Sequence, residues 1–213
     1  MWDRFLSVFS EKKVKIMAVL EKLKKISDET GGIITTREAV NQGISRAMLS
    51  KLCNQGSLER IAQGQYILQG EMEDELLSIS LRSQNIIFSH ETALYLHGLS
   101  DRTPYFHSVT APSNCVPPKS MREVCKSYYI KPELFEVGRE ELNSPAGNMI
   151  PVYDIERTIC DVIRCRNKMG KETFLYAIRE YAASPEKDLN RLGKYAEAFK
   201  IAGLVHRYME VIL

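Results

Sequence analysis

The apolar positions in the first third of the chain change period several times. From Glu11 to Ile26, Val14, Met17, Ala18, Leu20, Leu23 and Ile26 recur at three- and four-residue spacings, which predicts an amphipathic helix ending near Gly31-Gly32. The stretch IITTREAVNQG then reads as a short apolar extended piece and a second helix. Thr35 caps that helix and Glu38, three residues on, completes a capping box. Gly43 supplies a turn, Ser45 caps a third helix, and Gly56 stops it after about Gln55. Next, LERIAQGQYIL alternates apolar and polar positions on either side of Gln63-Gly64, the pattern of a two-strand hairpin with glycine at the bend. Three helices followed by a hairpin is the order of a winged helix-turn-helix, and order and spacing together carry the reading.

Beyond residue 70 the pattern becomes mixed. Glu71–Arg82 predicts a further helix, with Leu76, Leu77, Ile79 and Ser80 near its centre, that links to or begins a second domain. Ile86–Phe88 reads as a short strand, Ser89 as a cap, Glu91–His97 as a helix stopped by Gly98, and Phe106–Thr110 as a returning strand. CKSYYIK, LFEVGRE and NMIPVYD are strand-like pieces separated by Pro, Gly and Asn. Asp154 caps a helix that buries Ile155, Thr158, Ile159, Val162 and Ile163, and helical stretches follow around 171–183, 188–201 and 204–212. The expected architecture is α+β: a winged helix-turn-helix domain over residues 1–70, then a mixed α/β domain with a helical C-terminal tail over residues 71–213.

Composition narrows the class without naming it. With 44% apolar and 26% charged residues, the 213-residue chain can bury a core in each of two modest domains. No window approaches the roughly 18 apolar residues of a membrane span, and Asp3 and Arg4 stand where a signal peptide would begin its apolar core. The expectation is a cytoplasmic protein with no membrane partner. Cys53, Cys115, Cys125, Cys160 and Cys165 are odd in number and form no CxxC pair, which points to free thiols. Residues 1–70 hold 11 Lys and Arg against 7 Asp and Glu, a net +4, within an overall +2. That bias is a mild signal of a polyanionic partner.

At 100° per residue, Met48, Leu49, Leu52 and Cys53 share the inner side of the third helix, and Ala47, Ser50, Lys51 and Asn54 lie opposite with Arg46 at the flank. A small, polar face with donors suits the roughly 12 Å major groove. Ser45 opens this helix and Arg37 lies on the one before it. Arg60, Gln63 and Gln65 would set the hairpin beside the DNA backbone, and Lys12, Lys13 and Lys15 would add phosphate contacts. The competing reading is a winged helix that docks protein.

Candidate chemistry elsewhere is thin. His90 and His97 lie seven apart on one predicted helix and can be read as half a metal site, or as ordinary core and surface histidines, the better account. In DIERTICDVIR, Asp154, Glu156, Arg157, Asp161 and Arg164 could serve metal-dependent phosphoryl chemistry. Asp154 as cap, Glu156 on the helix dipole and Arg157–Asp161 as an i,i+4 pair is the better account. There is no Gly-rich phosphate loop and no nucleophile elbow. The expectation is no enzyme, no cofactor and no metal.

The runs GGIITTREAVNQGISRAMLSKLCNQGSLERIAQGQYIL, FSHETALYLHGLSDRTPYFHSVTAP and IPVYDIERTICDVI, in that order, closely resemble the AbiEi-type antitoxins of bacterial abortive-infection systems, from about Ile26 onward. SHETALYLHGLSDR and YDIERTICD are the most specific parts of the likeness. The resemblance implies a winged helix that binds inverted repeats in the promoter of its own operon, giving negative autoregulation. It implies a C-terminal antitoxin domain that neutralises a nucleotidyltransferase-like toxin encoded alongside, in a type IV, anti-phage system where no stable complex is required. A monomer that binds operator DNA cooperatively is the matching expectation. His90, Glu91, Tyr95, His97, Asp101, Arg102, Asp154, Glu156, Arg157 and Asp161 are nominated for antitoxicity because they sit in the segments that carry the likeness. An atypical kinase or nuclease activity of the C-terminal domain is the alternative.

Overall fold

In the computed structural model, which describes residues 2–212 and the side chains of residues 14–210, the first helix is longer than its apolar period predicts: α1 spans Trp2–Glu29. Among the described side chains of α1, Leu23, Ile26 and Ser27 are buried, with Ile16, Val19 and Leu20 packed against the same core. Of the expected stripe, Leu20, Leu23 and Ile26 turn inward, whereas Val14 and Met17 are 64% and 56% exposed and Ala18 is exposed as well, with Ile16 and Val19 turned inward in that stretch instead. Both stripes are apolar at helical spacing, and only the partners of the helix choose between them.

The next elements are β1 (Ile34–Thr35), α2 (Thr36–Asn41), α3 (Arg46–Asn54), β2 (Leu58–Ala62) and β3 (Gln65–Leu68). The Thr35 hydroxyl accepts the Glu38 N–H at 3.2 Å and the Glu38 carboxylate accepts the Thr35 N–H at 3.0 Å, which closes the capping box of α2. Ser45 caps α3 by accepting the Met48 N–H at 3.2 Å. The turn between α2 and α3 needs φ +79° at Gly43, a conformation glycine adopts without a Cβ clash.

β3 runs antiparallel between β1 and β2, with Ile34 opposite Tyr66, and Leu58 and Arg60 opposite Leu68 and Tyr66. The register slips between Arg60 and Ala62, a bulge that twists the hairpin just before its turn. Leu23, Ile26, Ile34, Ala39, Ile44, Leu49, Leu52, Leu58 and Tyr66 form the core, and a large apolar side chain fully buried there contributes about 1.5–3 kcal/mol.

The helix expected over Glu71–Arg82 is shorter, α4 (Glu75–Ser80). Asp74 accepts the Leu77 N–H at 3.1 Å and so starts the helix late, while the Ser83 N–H turns back to the Ser80 carbonyl at 3.3 Å. The chain divides into two compact units at this helix, Met1–Ser78 and Ile79–Leu213.

The second unit holds β4 (Ile87–Phe88), α5 (His90–Leu96), β5 (His107–Pro112), β6 (Cys125–Ile130), β7 (Arg139–Asn143), β8 (Met149–Tyr153), α6 (Ile155–Arg164), α7 (Lys171–Ala183), α8 (Leu189–Ala198) and α9 (Ala202–Ile212). Its sheet is mixed, in the order β6-β5-β4-β8-β7, with β4/β8 and β5/β6 parallel and β4/β5 and β7/β8 antiparallel. The fold class is therefore α+β. Helices α6 to α9 contribute Ile159, Val162, Ile163, Phe174, Ile178, Tyr181, Leu192, Val205 and Met209 to one core, with Tyr153 of β8 and Phe199 just after α8.

The start of LFEVGRE is not strand. Pro132–Leu134 is a 3₁₀ turn, and the strand begins only at Arg139. The reason is Arg157, whose Nη1 donates to the carbonyls of Leu134 and Val137 at 2.9 and 2.6 Å and removes them from strand pairing. α6 also departs from a one-sided helix: Glu156, Arg157, Cys160 and Asp161 are buried with the expected Thr158, Ile159, Val162 and Ile163, and Ile155 is only half-buried.

Candidate nucleic-acid interface and the polar centres of the second unit

Leu49 and Leu52 anchor α3 to its unit, and that fixes which residues face outward. Arg46, Ala47, Ser50, Lys51 and Asn54 are all exposed along the opposite side, while Met48 and Cys53 are partly buried. Burial pushes the Cys53 thiol up, with the Arg60 charge acting in the other direction, so this thiol is not an activated one. Ser45 is exposed but its hydroxyl is engaged as the helix cap.

Arg60 is exposed on β2, and its Nε donates to the Ala62 carbonyl at 3.3 Å across the bulge. Gln63 is exposed at the turn. The turn is tied to the start of α2 by the Thr36 N–H, which donates to the Gly64 carbonyl at 2.8 Å. Gly64 has φ +75°, and a Cβ there would lie 3.3 Å from the Thr36 hydroxyl. Arg37 on α2 and Lys15 on α1 are exposed, whereas the side chains of Lys12 and Lys13 lie outside the described residues. From Ile34 to Leu68 four Arg and Lys stand against two Glu, one of which, Glu38, is engaged in the capping box.

Gln65 does not belong to this surface. It is 3% exposed, its Nε2 donates to the Ser78 carbonyl at 3.0 Å, and its Oε1 accepts the Ser78 hydroxyl at 2.8 Å. The alternating pattern beside the bend suggested a solvent position, and α4, thirteen residues on, covers it.

In the second unit the nominated residues separate into two polar centres and an exposed loop. The first centre lies where α5 meets β5 and β6. Ser89 occupies the cap position of α5 but makes no capping bond; its Oγ accepts from the Thr110 hydroxyl and lies beside His90 Nδ1, each at 2.9 Å. His90 has φ +47°, stacks on the Tyr128 ring at 3.5 Å, and its Nε2 makes no hydrogen bond among the described residues. Burial keeps its imidazole neutral, with a pKa brought down to about 4.

The Glu91 carboxylate accepts the Ser108 hydroxyl at 2.8 Å and lies 3.2 Å from Lys126 Nζ. Burial works to raise the Glu91 pKa, but the Ser108 hydroxyl, its own backbone N–H and Lys126 outweigh it and hold the carboxyl below its ordinary range. Lys126 and Tyr128 were not singled out from the sequence. They are two apart on β6 and so share a strand face, but only the parallel β5/β6 pairing brings that face to α5.

The second centre surrounds the start of α6. Asp154 caps it, accepting the Arg157 N–H at 2.7 Å and the Tyr195 hydroxyl at 2.8 Å. Glu156 accepts the Asp188 N–H at 2.9 Å, with Arg191 at 3.6 Å. Arg157 is 0% exposed: its Nε donates to Asp161 at 2.9 Å, and its guanidinium lies over the rings of Tyr153 and Phe199 at 3.9 and 4.3 Å. Asp161 also accepts from Arg164 at 2.8 Å. Arg157 and Asp161 are thus interior residues with no surface to offer a partner.

His97 donates to the Tyr153 carbonyl at 2.7 Å and does not converge with His90. Among the described residues no cluster of three His, Cys, Asp or Glu side chains is arranged to hold a metal ion. Tyr95 is half-buried, and Asp101 and Arg102 are exposed, with Arg102 paired to Glu172 at 3.3 Å.

An α+β protein with three helices and a hairpin in its first unit is the class these observations define. Residues 21–69, from the second half of α1 through β3, match the sequence profile of the AbiEi_4 family, described as "Transcriptional regulator, AbiEi antitoxin", in agreement with the resemblance drawn above. No curated protein matches the chain. Among solved structures, the crystal structure of the RV2827C protein from Mycobacterium tuberculosis is similar, with a TM-score of 0.63 and 14% identity, over 88% of this chain and 79% of that one. At that identity the likeness is one of fold.

Proposed function

We propose that this chain is an AbiEi-type antitoxin and transcriptional regulator of the type IV class. Its first unit is a winged helix-turn-helix that binds inverted repeats upstream of its own operon, with α3 in the major groove and the β2–β3 hairpin as the wing. Its second unit neutralises a nucleotidyltransferase-like toxin. The observation that carries the reading is the outward face of α3, where Arg46, Ala47, Ser50, Lys51 and Asn54 line one side of a helix fixed on the other by Leu49 and Leu52. Arg60 and Gln63 supply the flanking backbone contacts. The chain acts in the cytoplasm, as a monomer that binds its two half-sites cooperatively. No catalytic step is assigned to it, since the carboxylates of α6 are engaged in holding that helix.

The test is a mobility-shift titration against the DNA upstream of the gene, with scrambled DNA as competitor. A specific, stepwise shift is expected, and Lys51→Ala weakens it by about 1–3 kcal/mol if a base contact is lost. Equal binding to scrambled DNA overturns the regulator reading. For the antitoxin half, co-expression with the product of the neighbouring toxin gene restores growth, and continued toxicity overturns it.

A further inference from the structure

The buried position of Gln65 raises the question of what a glutamine does inside a hairpin whose other inner residues are apolar. β2, which carries Arg60, is an edge strand, bonded only to β3 and kinked at its bulge. A two-stranded ribbon is marginal without support. β1 supports it along β3, opposite Tyr66 and Gln65, and hydrogen bonds add support at two further points. At the tip, the Thr36 N–H and hydroxyl hold the Gly64 carbonyl at 2.8 and 3.3 Å. At the first residue of β3, the reciprocal bonds between Gln65 and Ser78 at 3.0 and 2.8 Å hold the strand to α4.

The segment before α4 is itself tied to α1, because the Ser27 hydroxyl donates to the Glu71 carboxylate at 2.9 Å. An apolar side chain at position 65 would bury as well as glutamine does. What glutamine adds is direction, since a paired carboxamide admits one rotamer and one strand position.

We propose that Gln65 is a positioning residue for DNA binding: its clasp with Ser78 fixes the pitch of the hairpin and so the reach of Arg60 toward the DNA backbone. This rests on the reading of the hairpin as a wing. Gln65 touches no DNA and acts through Arg60.

The full-length protein is titrated against its upstream DNA over a range of salt concentrations, as wild type, Gln65→Leu, Ser78→Ala, Gln65→Leu/Ser78→Ala, Arg60→Ala and Gln65→Leu/Arg60→Ala, with thermal unfolding of each. Gln65→Leu weakens binding on the order of tenfold and lowers the salt slope by about one, as loss of one phosphate contact does. It has no further effect where Arg60 is already alanine. Ser78→Ala shifts affinity and slope in the same direction with little change of side-chain volume, which keeps the test open if Gln65→Leu unfolds. The apolar pair is more stable to heat than Gln65→Leu alone without regaining affinity, because the Ser78 hydroxyl that loses its Gln65 acceptor is gone as well.

Folded Gln65→Leu and Ser78→Ala proteins with wild-type affinity and slope overturn the proposal, as does a loss that adds fully to that of Arg60→Ala. Wild-type protein that does not prefer its upstream DNA overturns the wing reading itself, and the proposal with it.

Discussion

Single residues in the second unit carry more of its architecture than their side-chain classes suggest. Gly138, at φ +75°, is one: a Cβ there would lie 2.6 Å from Arg157 Cβ. Gly138→Ala is expected to destabilise the protein by about 2–4 kcal/mol, read as a lower urea midpoint, since both the backbone and the packing of a buried arginine resist it. Asp161→Ala leaves Arg157 buried without its carboxylate and costs about 3–5 kcal/mol in the same assay.

His90 makes a pH-dependent prediction. Its imidazole is held neutral in the folded state, with a pKa of about 4 against 6.5 for the free group. The unfolded chain therefore binds a proton that the folded one refuses between those values, and stability falls as pH drops from 6.5 toward 4. The total is about 3 kcal/mol. Asp161 and Glu91 favour the charged ring, and Arg164 and Lys126 oppose it, but burial outweighs them all. His90→Asn, which tolerates the positive φ, flattens the unfolding free energy over that range. An unchanged slope would show that another group titrates there.

At the scale of elements, what was legible in the sequence was whatever local chemistry decides. The capping box of α2, the Ser45 cap, the hairpin bend and the outward face of α3 all follow from residues within one or two turns of each other. Thr35→Ala is accordingly expected to cost about 1 kcal/mol in chemical denaturation, as loss of a helix cap does. What was not legible depended on distant partners. In the first half of α1 two apolar stripes compete, and packing takes Ile16 and Val19 in place of Val14, Met17 and Ala18. Leu134–Val137 looked like strand until Arg157, twenty residues on, claimed its carbonyls. Gln65 looked like wing surface until α4 covered it. The candidate interface could be read because it lies on one helix, while the Glu91, Lys126 and Tyr128 group could not, because a parallel strand pair assembles it.

For the whole molecule, the separate cores of the two units make the two proposed activities separable by mutation. The net +4 of residues 1–70 is offset within the first unit by Glu71, Glu73, Asp74 and Glu75, so the basic surplus belongs to the helices and hairpin before α4 and not to the unit as a whole. Each unit closes its own core, around Leu23, Leu49 and Leu52 in one and Ile159, Val162 and Ile178 in the other. Exposed substitutions on α3 therefore leave the second unit folded. Arg46→Ala/Lys51→Ala is expected to derepress a reporter driven by the chain's own promoter while still restoring growth to cells that express the toxin. The same pair should also lower the salt slope of operator binding by about one for each phosphate contact removed. If the variant folds, keeps repression and loses neutralisation, α3 is a protein-docking face and the winged helix serves the toxin. If it loses both at wild-type stability, the two activities share one surface. Only loss of repression with neutralisation intact fits a regulator and an antitoxin joined in one chain.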